Sequence, residues 1–263
     1  MKSVGDSGNA IVPTAGEKQT PLVVRTANVP VETEYGRYRR YLRVDFYFSC
    51  AYCTISEAEA EAIRFTIDHY EPKTAREDLV AVYSNLMYAC DECNTRKGDR
   101  FPPEAARKAG HRFFRPDEDI FDDHFAGKDM LLSQKSNVGS FTIDALDLNR
   151  KGLQKLREIR LRLLNCEKYV AEGISALRQF RIDQLPQQIR ARAQRSIKEA
   201  LTVQDEIVEN IDNILREAAK SALSDSEPED KARLAERSAR LKHLEGLYPG
   251  SWRAGSRKKK LKK

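Results

Sequence analysis

Two Cys-x-x-Cys pairs constrain the fold of this chain more than any other feature. They are Cys50/Cys53 and Cys90/Cys93, and 36 residues separate them. In a cytosolic chain, paired cysteines are typical of metal binding rather than of disulfides. Four thiolates can hold one tetrahedral zinc ion in a closed site, which is structural because no coordination position stays open. Since the interval exceeds that of an ordinary zinc ribbon, we expect a folded insertion between the pairs.

Residue patterns within this interval predict the order strand, loop, strand, helix. A serine followed by good helix formers predicts a short helix over residues 56–63. Residues 64–67 alternate between polar and apolar side chains, as a strand does, and Asp68-His69 closes them. A second strand is predicted over residues 84–89. A helix is predicted to open at residues 94–97, just after the second cysteine pair.

Three motifs in this region, taken in order, resemble the HNH endonuclease family. They are CAYC at 50–53, IDHYEPK at 67–73 and SNLMYACDECNTRKGD at 84–99. A looser likeness continues through HRFFRPDEDIFDDHF at 111–125 and FTIDALDLNR at 141–150. These stretches are similar to the region after the core in some bacterial HNH proteins, including ones associated with retrons and phage defence. The resemblance implies a ββα-metal core and a metal-dependent endonuclease that hydrolyses phosphodiester bonds, with DNA favoured over RNA.

The resemblance also implies roles for four residues. His69 would be the general base, and Asp68 before it would bind the catalytic metal. Asn85 would orient the histidine or fix the loop. Asn94 stands in place of the family's final histidine as the second metal ligand, so the motif reads H-N-N. An asparagine carbonyl is a hard oxygen ligand, which predicts Mg²⁺ or Mn²⁺ at this site beside the structural Zn²⁺.

Basic residues suggest where nucleic acid binds. Lys97, Arg96 and Arg100 could reach phosphates, although an ordinary solvated helix face would look the same. Residues 1–149 carry a net charge of −5, whereas residues 150–200 carry +8 and the last 13 residues +7. We therefore expect the basic helix and the tail to bind substrate. The alternative is that the tail only aids solubility and binds polyanions loosely.

The chain as a whole is predicted to have an α+β fold in four parts. Residues 1–34 are an irregular arm, and residues 35–125 are the HNH nuclease domain with its zinc site. Residues 126–248 are a mainly α-helical C-terminal region for recognition, dimerisation or partner docking, and residues 249–263 are a basic tail. Apolar periodicity predicts one long helix from about residue 152 to 177 and a second over 189–223, paired as a helical hairpin. A shorter helix is predicted over 231–247.

Partners and location follow from weaker signals. No apolar run approaches the roughly 18 residues that span a bilayer, and no signal-peptide pattern is visible, so we expect a cytoplasmic protein without membrane contact. The resemblance implies an effector in bacterial anti-phage defence that acts beside an ATPase or another effector. The hairpin of C-terminal helices could form within one chain or be shared in a homodimer. Two alternatives remain: a zinc-ribbon module that binds nucleic acid without cutting it, and a scaffold that docks a partner while its HNH core is degenerate.

Overall fold

The computed structural model describes residues 20–60, 63–128, 130–179, 187, 189–196, 198 and 228–254. Helices alternate with two small antiparallel two-stranded sheets, so the prediction of an α+β fold is confirmed. None of the described helices is long and apolar enough to cross a membrane.

The first sheet and its flanking helices form the region of the cysteine pairs. Its elements are α1 (Arg39–Asp45), α2 (Glu57–Ala60), β1 (Phe65–His69), β2 (Leu86–Cys90) and α3 (Asp91–Lys97). Strands β1 and β2 pair so that Phe65 lies opposite Cys90 and His69 lies opposite Leu86. The predicted order of strand, loop, strand and helix is therefore present between the cysteine pairs.

The boundaries differ from the predictions for local reasons. Helix α2 begins after Ser56 because Ser56 and Glu59 form a reciprocal capping box. Strand β2 begins at Leu86, two residues later than predicted, because Tyr83–Asn85 forms a 3₁₀ turn. Helix α3 begins at Asp91, within the second cysteine pair, because the Sγ of Cys90 caps it by accepting a hydrogen bond from the Cys93 N–H.

The next five elements include a buried helix. They are α4 (Glu104–Lys108), α5 (Phe121–His124), β3 (Phe125–Lys128), β4 (Leu131–Gln134) and α6 (Asn137–Leu146). Helix α6 is buried over most of its length. It approaches the chain at His124 so closely that a Cβ on Gly139 would lie 2.0 Å from the His124 carbonyl oxygen, which only glycine permits.

Two C-terminal helices lie close to the predicted bounds. Helix α7 spans Lys151–Gln179 and α8 spans Lys231–Leu247. The predicted second long helix, residues 189–223, is helical at 189–196, and the rest of it lies outside the described residues. The helical hairpin therefore stays a prediction.

Segments from both ends of the described chain share the core of the HNH region. Val23 and Trp252 are buried in the same hydrophobic cluster, and the Trp252 ring packs on Phe141 of α6. Arg240 of α8 forms an ion pair with Asp144 of α6. The four-part division of the chain stays a prediction, while these contacts join residues of all four predicted parts.

Candidate zinc site and HNH active site

The four paired cysteines come together beneath the β1–β2 sheet. Their sulfur atoms all lie within 4.8 Å of one another, and all four side chains are buried. The sulfurs of Cys53 and Cys90 are 3.7 Å apart. Zinc–sulfur bonds of about 2.3 Å place the corners of a tetrahedron about 3.8 Å apart, whereas a disulfide needs about 2.05 Å. The spacing fits one tetrahedral zinc ion.

Charge on the thiols points to the same conclusion. Side-chain hydrogen bonds with Cys50, Cys90 and Cys93 lower the pKa of Cys53 well below its ordinary value. Burial raises the pKa of Cys50, and the hydrogen bond with Cys50 raises that of Cys93. Without a cation, thiols this close cannot all become thiolates, because like charges in a buried site disfavour one another. A bound Zn²⁺ removes that conflict.

Backbone geometry prepares each pair to hold a metal. The N–H of Tyr52 donates to the Cys50 sulfur, and the N–H of Cys93 donates to the Cys90 sulfur, both at 3.5 Å. The N–H of Ala51 donates to the carbonyl oxygen of Tyr88 and so fixes the first pair on strand β2. Such bonds orient metal ligands from outside the coordination sphere.

Arg150, at the start of α7, adds a buried cation beside the thiols. Its Nη2 lies 3.9 Å from the Cys93 sulfur, and its Nε lies 3.1 Å from Glu92. Burial alone would lower the pKa of this guanidinium, but Cys93, Cys53 and Glu92 raise it above the ordinary value. Arg150 would therefore offset the excess negative charge that four thiolates leave around one bound Zn²⁺.

His69 ends strand β1 with its imidazole buried. Its Nε2 lies 2.9 Å from the carbonyl oxygen of Val80, and the ring meets Tyr35 edge-on with 4.8 Å between ring centres. A carbonyl oxygen can only accept a hydrogen bond, so Nε2 carries the proton and Nδ1 keeps a free lone pair. Burial lowers the pKa of His69, the Val80 carbonyl opposes this, and Lys73 lowers it further. The lowered pKa favours the neutral ring, in which Nδ1 is unprotonated.

Asp68 precedes His69 and points to the face of β1 that α3 covers. The carboxylate accepts hydrogen bonds from the Tyr52 hydroxyl at 2.5 Å and from the Lys97 ammonium at 3.1 Å. Burial raises the pKa of Tyr52, which keeps its hydroxyl protonated as a donor. Both carboxylate oxygens are therefore oriented by protein groups.

Asn94 lies in the same layer between α3 and β1. Its Nδ2 donates to the hydroxyl of Thr66 at 2.9 Å. Thr66 and Asp68 are two apart on a strand and share a face, while Asn94 and Lys97 are three apart on a helix and share a side. Two parallel links, Asn94–Thr66 and Lys97–Asp68, thus join α3 to β1. Asp68 and Asn94 share this layer, although their side chains form no hydrogen bond with each other.

Asn85 fixes the loop between the strands and does not touch the imidazole. Its Oδ1 accepts from the Glu71 N–H at 2.9 Å, and its Nδ2 donates to the carbonyl oxygens of Glu71 at 3.1 Å and Leu79 at 3.3 Å. Leu79 precedes Val80, whose carbonyl holds the His69 ring. Asn85 therefore positions His69 through the loop.

Comparison with known proteins agrees with this geometry. Residues 50–100 match the model of the HNH endonuclease family. These residues are an HNH endonuclease domain. The match covers both cysteine pairs, His69, Asn85 and Asn94, and an HNH domain implies a nuclease-type function with metal binding. Comparisons with curated proteins and with solved structures gave no match.

The three basic residues predicted to contact nucleic acid have partners within the protein. Lys97 of the HNH domain is fully buried, and its ammonium donates to Asp68 and to the His69 carbonyl oxygen at 2.6 Å. Arg96 pairs with Glu92 at 2.8 Å and with Asp147 at 3.4 Å. Arg100 donates to the Ala145 carbonyl oxygen at 3.2 Å. Their contact with nucleic acid stays a prediction, and the observed contacts join α3 to β1 and α6.

The two basic segments predicted to bind substrate are only partly described. In the first, Arg157 donates to carbonyl oxygens of Met130 and Leu148, and Arg160 pairs with Glu59 at 2.6 Å. Arg160 thus joins α7 to the HNH domain, whereas Arg157 joins it to the turn between β3 and β4 and to the segment after α6. Residues 255–263 of the tail lie outside the described residues.

Replacing Lys97 should destabilise the HNH domain strongly. In Lys97→Met the Asp68 carboxylate stays buried without its cation, which costs about 3–5 kcal/mol of unfolding free energy. Lys108→Met on α4 is the matched control, because the exposed Lys108–Glu104 pair at 2.7 Å contributes only about 0–1 kcal/mol. Urea unfolding measures both. Adding Asp68→Asn to Lys97→Met should restore part of the loss, and equal stabilities for the two single variants would contradict the role of the pair.

Sequence reasoning did not identify Tyr52, Thr66 or Tyr35 as parts of the site. Thr66 could have been found, because it lies two residues before Asp68 and shares its strand face. Tyr52 lies inside the first cysteine pair, and the Cys-x-x-Cys motif assigns no role to the residues between its cysteines. Tyr35 lies far from His69 in sequence, and no spacing rule connects them.

Proposed function

We propose that this chain is a metal-dependent endonuclease that hydrolyses phosphodiester bonds in nucleic acid, with DNA as the substrate. The observation that carries the proposal is the tautomer of the His69 imidazole. The Val80 carbonyl holds its Nε2–H, which leaves Nδ1 free to take a proton. Together with the HNH match over residues 50–100, this arrangement supports hydrolysis better than binding alone.

His69 acts as the general base in this proposal. Nδ1 accepts a proton from a water molecule as the water attacks the phosphorus atom and the bond from phosphorus to the leaving oxygen breaks. The positive charge that forms lies on the imidazole. Asn85 holds the loop that carries Val80 and so keeps the ring in its reactive tautomer. Asp68 and His69 are adjacent at the end of β1. In this proposal Asp68 binds the metal ion and His69 transfers the proton.

The donor atoms near Asp68 fit a hard divalent ion such as Mg²⁺ or Mn²⁺. The Asp68 carboxylate and the Asn94 side-chain carbonyl are oxygen ligands of the kind such ions prefer. When bound, the ion would polarise the phosphate and stabilise the leaving oxygen. The Lys97 ammonium at 3.1 Å from Asp68 already neutralises this carboxylate, so it would have to share Asp68 with the ion.

A cleavage assay tests the proposal directly. The zinc-loaded protein is incubated with supercoiled plasmid, linear duplex, single-stranded DNA and RNA, each with Mg²⁺, with Mn²⁺ and without added divalent ion. We expect cleavage of DNA that needs the added ion, at unchanged zinc content. A His69→Ala protein purified in the same way controls for contaminating nucleases.

The outcome also separates the alternatives. If no substrate is cut under any metal condition, the nuclease proposal fails. Binding of nucleic acid without cleavage would then favour the non-catalytic zinc module, for which the engaged state of Asp68 is the supporting observation. Preferential cleavage of RNA would overturn the choice of DNA alone.

A role as an effector in anti-phage defence is the further part of the proposal. It rests on the likeness of residues 111–125 and 141–150 to regions of phage-defence-associated HNH proteins. The C-terminal helices would contact a partner such as an ATPase, or a second copy of the chain. Phage should form fewer plaques on cells that express the protein with its neighbouring genes than on cells that carry the His69→Ala variant in the same genes. Equal plaque counts would contradict the defence role.

A further inference from the structure

A cavity of about 260 Å³ lies beside the end of strand β1. Its walls come from the residues just after His69, from the segment after α3, from α4, and from residues 112–118. The volume lies slightly below the range of about 300–1,000 Å³ that encloses drug-sized ligands. The cavity therefore suits one small group rather than a length of polymer.

Four arginines line this cavity, and two of them have no carboxylate partner among the described residues. Arg112 forms a two-pronged pair with Asp119, and Arg115 pairs with Asp117. Arg107 and Arg100, by contrast, make their described hydrogen bonds only to carbonyl oxygens, those of Pro102 at 3.0 Å and Ala145 at 3.2 Å.

The unpaired arginines favour an anionic ligand. The carboxylates in the wall are engaged, because Glu71 pairs with Arg76 and Glu118 pairs with Arg115, each at 3.0 Å. Burial lowers the pKa of Arg100 and nearby Arg253 lowers it further, while the carboxylates of Glu245 and Asp99 oppose this only in part. An anion in the cavity would offset both effects. Guanidinium groups bind both carboxylate and phosphate through paired N–H bonds, and phosphate is the one of these anions that a nucleic acid carries.

Aromatic rings form the rest of the wall. Phe101, Phe113 and Tyr70 all line the cavity. The Arg107 guanidinium lies over the Phe101 ring at 4.3 Å, and Arg115 lies over the Tyr70 ring at 4.8 Å. Nucleobases stack on aromatic rings and on guanidinium planes. Cationic and stacking groups thus meet in one cavity.

The cavity is separate from the His69 ring but close to its strand. Tyr70 follows His69 and points to the Asp68 side of β1, where its hydroxyl donates to the Phe113 carbonyl oxygen at 2.7 Å. The Lys97 ammonium lies 5.6 Å from the centre of the Phe113 ring. A ligand in the cavity would therefore sit next to the layer that holds Asp68 and Lys97.

From these observations we propose that the cavity binds one nucleoside phosphate, with the phosphate on Arg107 and Arg100 and the base stacked on Phe101. The ligand is either a nucleotide of the bound strand near the cut or a free nucleotide. The first case rests on the proposed function, since it makes the cavity part of the substrate path.

Binding to the full-length, zinc-loaded protein without divalent ion tests this proposal, because no cleavage then interferes. The probes are dAMP, AMP, inorganic phosphate and a labelled DNA strand of about 12 nucleotides. Arg107→Gln should weaken nucleotide binding about tenfold or more, since a charge-assisted pair is lost. Lys108→Gln removes a charge from the same helix outside the cavity and should change binding less than about twofold.

A second variant guards against an effect of folding alone. Phe101→Leu should weaken dAMP binding while leaving the affinity for inorganic phosphate unchanged. Thermal melting and zinc content of each variant are compared with those of the parent protein. Loss of both ligands in proportion to loss of fold would overturn the assignment of the base to Phe101.

The pattern across probes identifies the source of the nucleotide. If Arg107→Gln weakens strand binding and dAMP competes with the strand, the ligand is a nucleotide of the substrate. If it weakens only the binding of free nucleotide, the ligand is a free nucleotide. If Arg107→Gln and Lys108→Gln behave alike with every probe, the cavity proposal fails. If the cavity proposal fails but metal-dependent cleavage is observed, the proposed function stands. If the nucleotide binds as proposed but no substrate is cut, the cavity proposal stands and the proposed function fails.

Discussion

Cys90→Ser should unfold the HNH domain and abolish zinc binding. Structural zinc contributes about 10–16 kcal/mol of apparent folding free energy in small zinc peptides. A typical domain is stable by only about 5–15 kcal/mol in total. Loss of one of four ligands should therefore remove most of the stability of residues 50–100.

Cys90 has a larger expected effect than a ligand on a loop would have. It ends strand β2, its sulfur caps helix α3, and it lies 3.7 Å from the Cys53 sulfur. The substitution thus weakens the zinc site, the start of α3 and the link between the two pairs together. Because α3 carries Asn94 and Lys97, the layer over Asp68 should be lost as well.

Metal content and thermal unfolding by circular dichroism measure this effect. Cys166→Ser is the matched control, because Cys166 lies outside the two pairs and should leave one zinc per chain. Treating the parent protein with a strong zinc chelator should reproduce the behaviour of Cys90→Ser. A Cys90→Ser protein that melts like the parent, or a parent protein that purifies folded without zinc, would contradict a structural role for the metal.

The sequence was sufficient to predict the order of strand, loop, strand and helix between the cysteine pairs and the clustering of the four cysteines. Cysteine spacing predicts the ligands because two sulfurs of a Cys-x-x-Cys turn can reach one ion. Strand β1 follows from the alternation of polar and apolar side chains, and α8 is observed at the predicted residues 231–247. These features depend on residues close in sequence, which is why pattern alone identifies them.

Contacts between distant residues could not be predicted in this way. Lys97 was expected on a surface, yet it is fully buried because Asp68 and the His69 carbonyl satisfy its ammonium. Arg150 was counted as part of a basic substrate-binding helix, whereas it lies beside the Cys93 thiol. Net charge along the sequence does not reveal which charges are paired within the fold.

His69→Ala should lower the rate of phosphodiester cleavage about 10²–10⁴-fold, the usual contribution of a general base. The structure supplies the reason: Nε2 is held by the Val80 carbonyl, so Nδ1 has the only free lone pair on the ring. Single-turnover cleavage of the best substrate in Mg²⁺ measures the loss. His243→Ala, at an exposed position on α8, is the control and should retain the parent rate.

A second substitution separates catalysis from packing. His69→Gln keeps a side-chain N–H that can donate to the Val80 carbonyl, but an amide cannot take a proton from water near neutral pH. We expect His69→Gln to melt within a few degrees of the parent and to be as inactive as His69→Ala. Added imidazole should restore part of the activity of His69→Ala, because it supplies a base where the side chain is missing.

The pH dependence of cleavage provides an independent check on His69. In the proposed mechanism the neutral imidazole is the active form. Burial together with Lys73 and Lys97 lowers its pKa, against the opposing effects of the Val80 carbonyl and Asp68. A divalent ion on Asp68 would act in the same direction. Cleavage should therefore stay at its plateau as pH falls and decline only below about 6.5, the ordinary pKa of histidine. A midpoint above that value, or a decline that persists in His69→Gln, would show that another group limits the reaction.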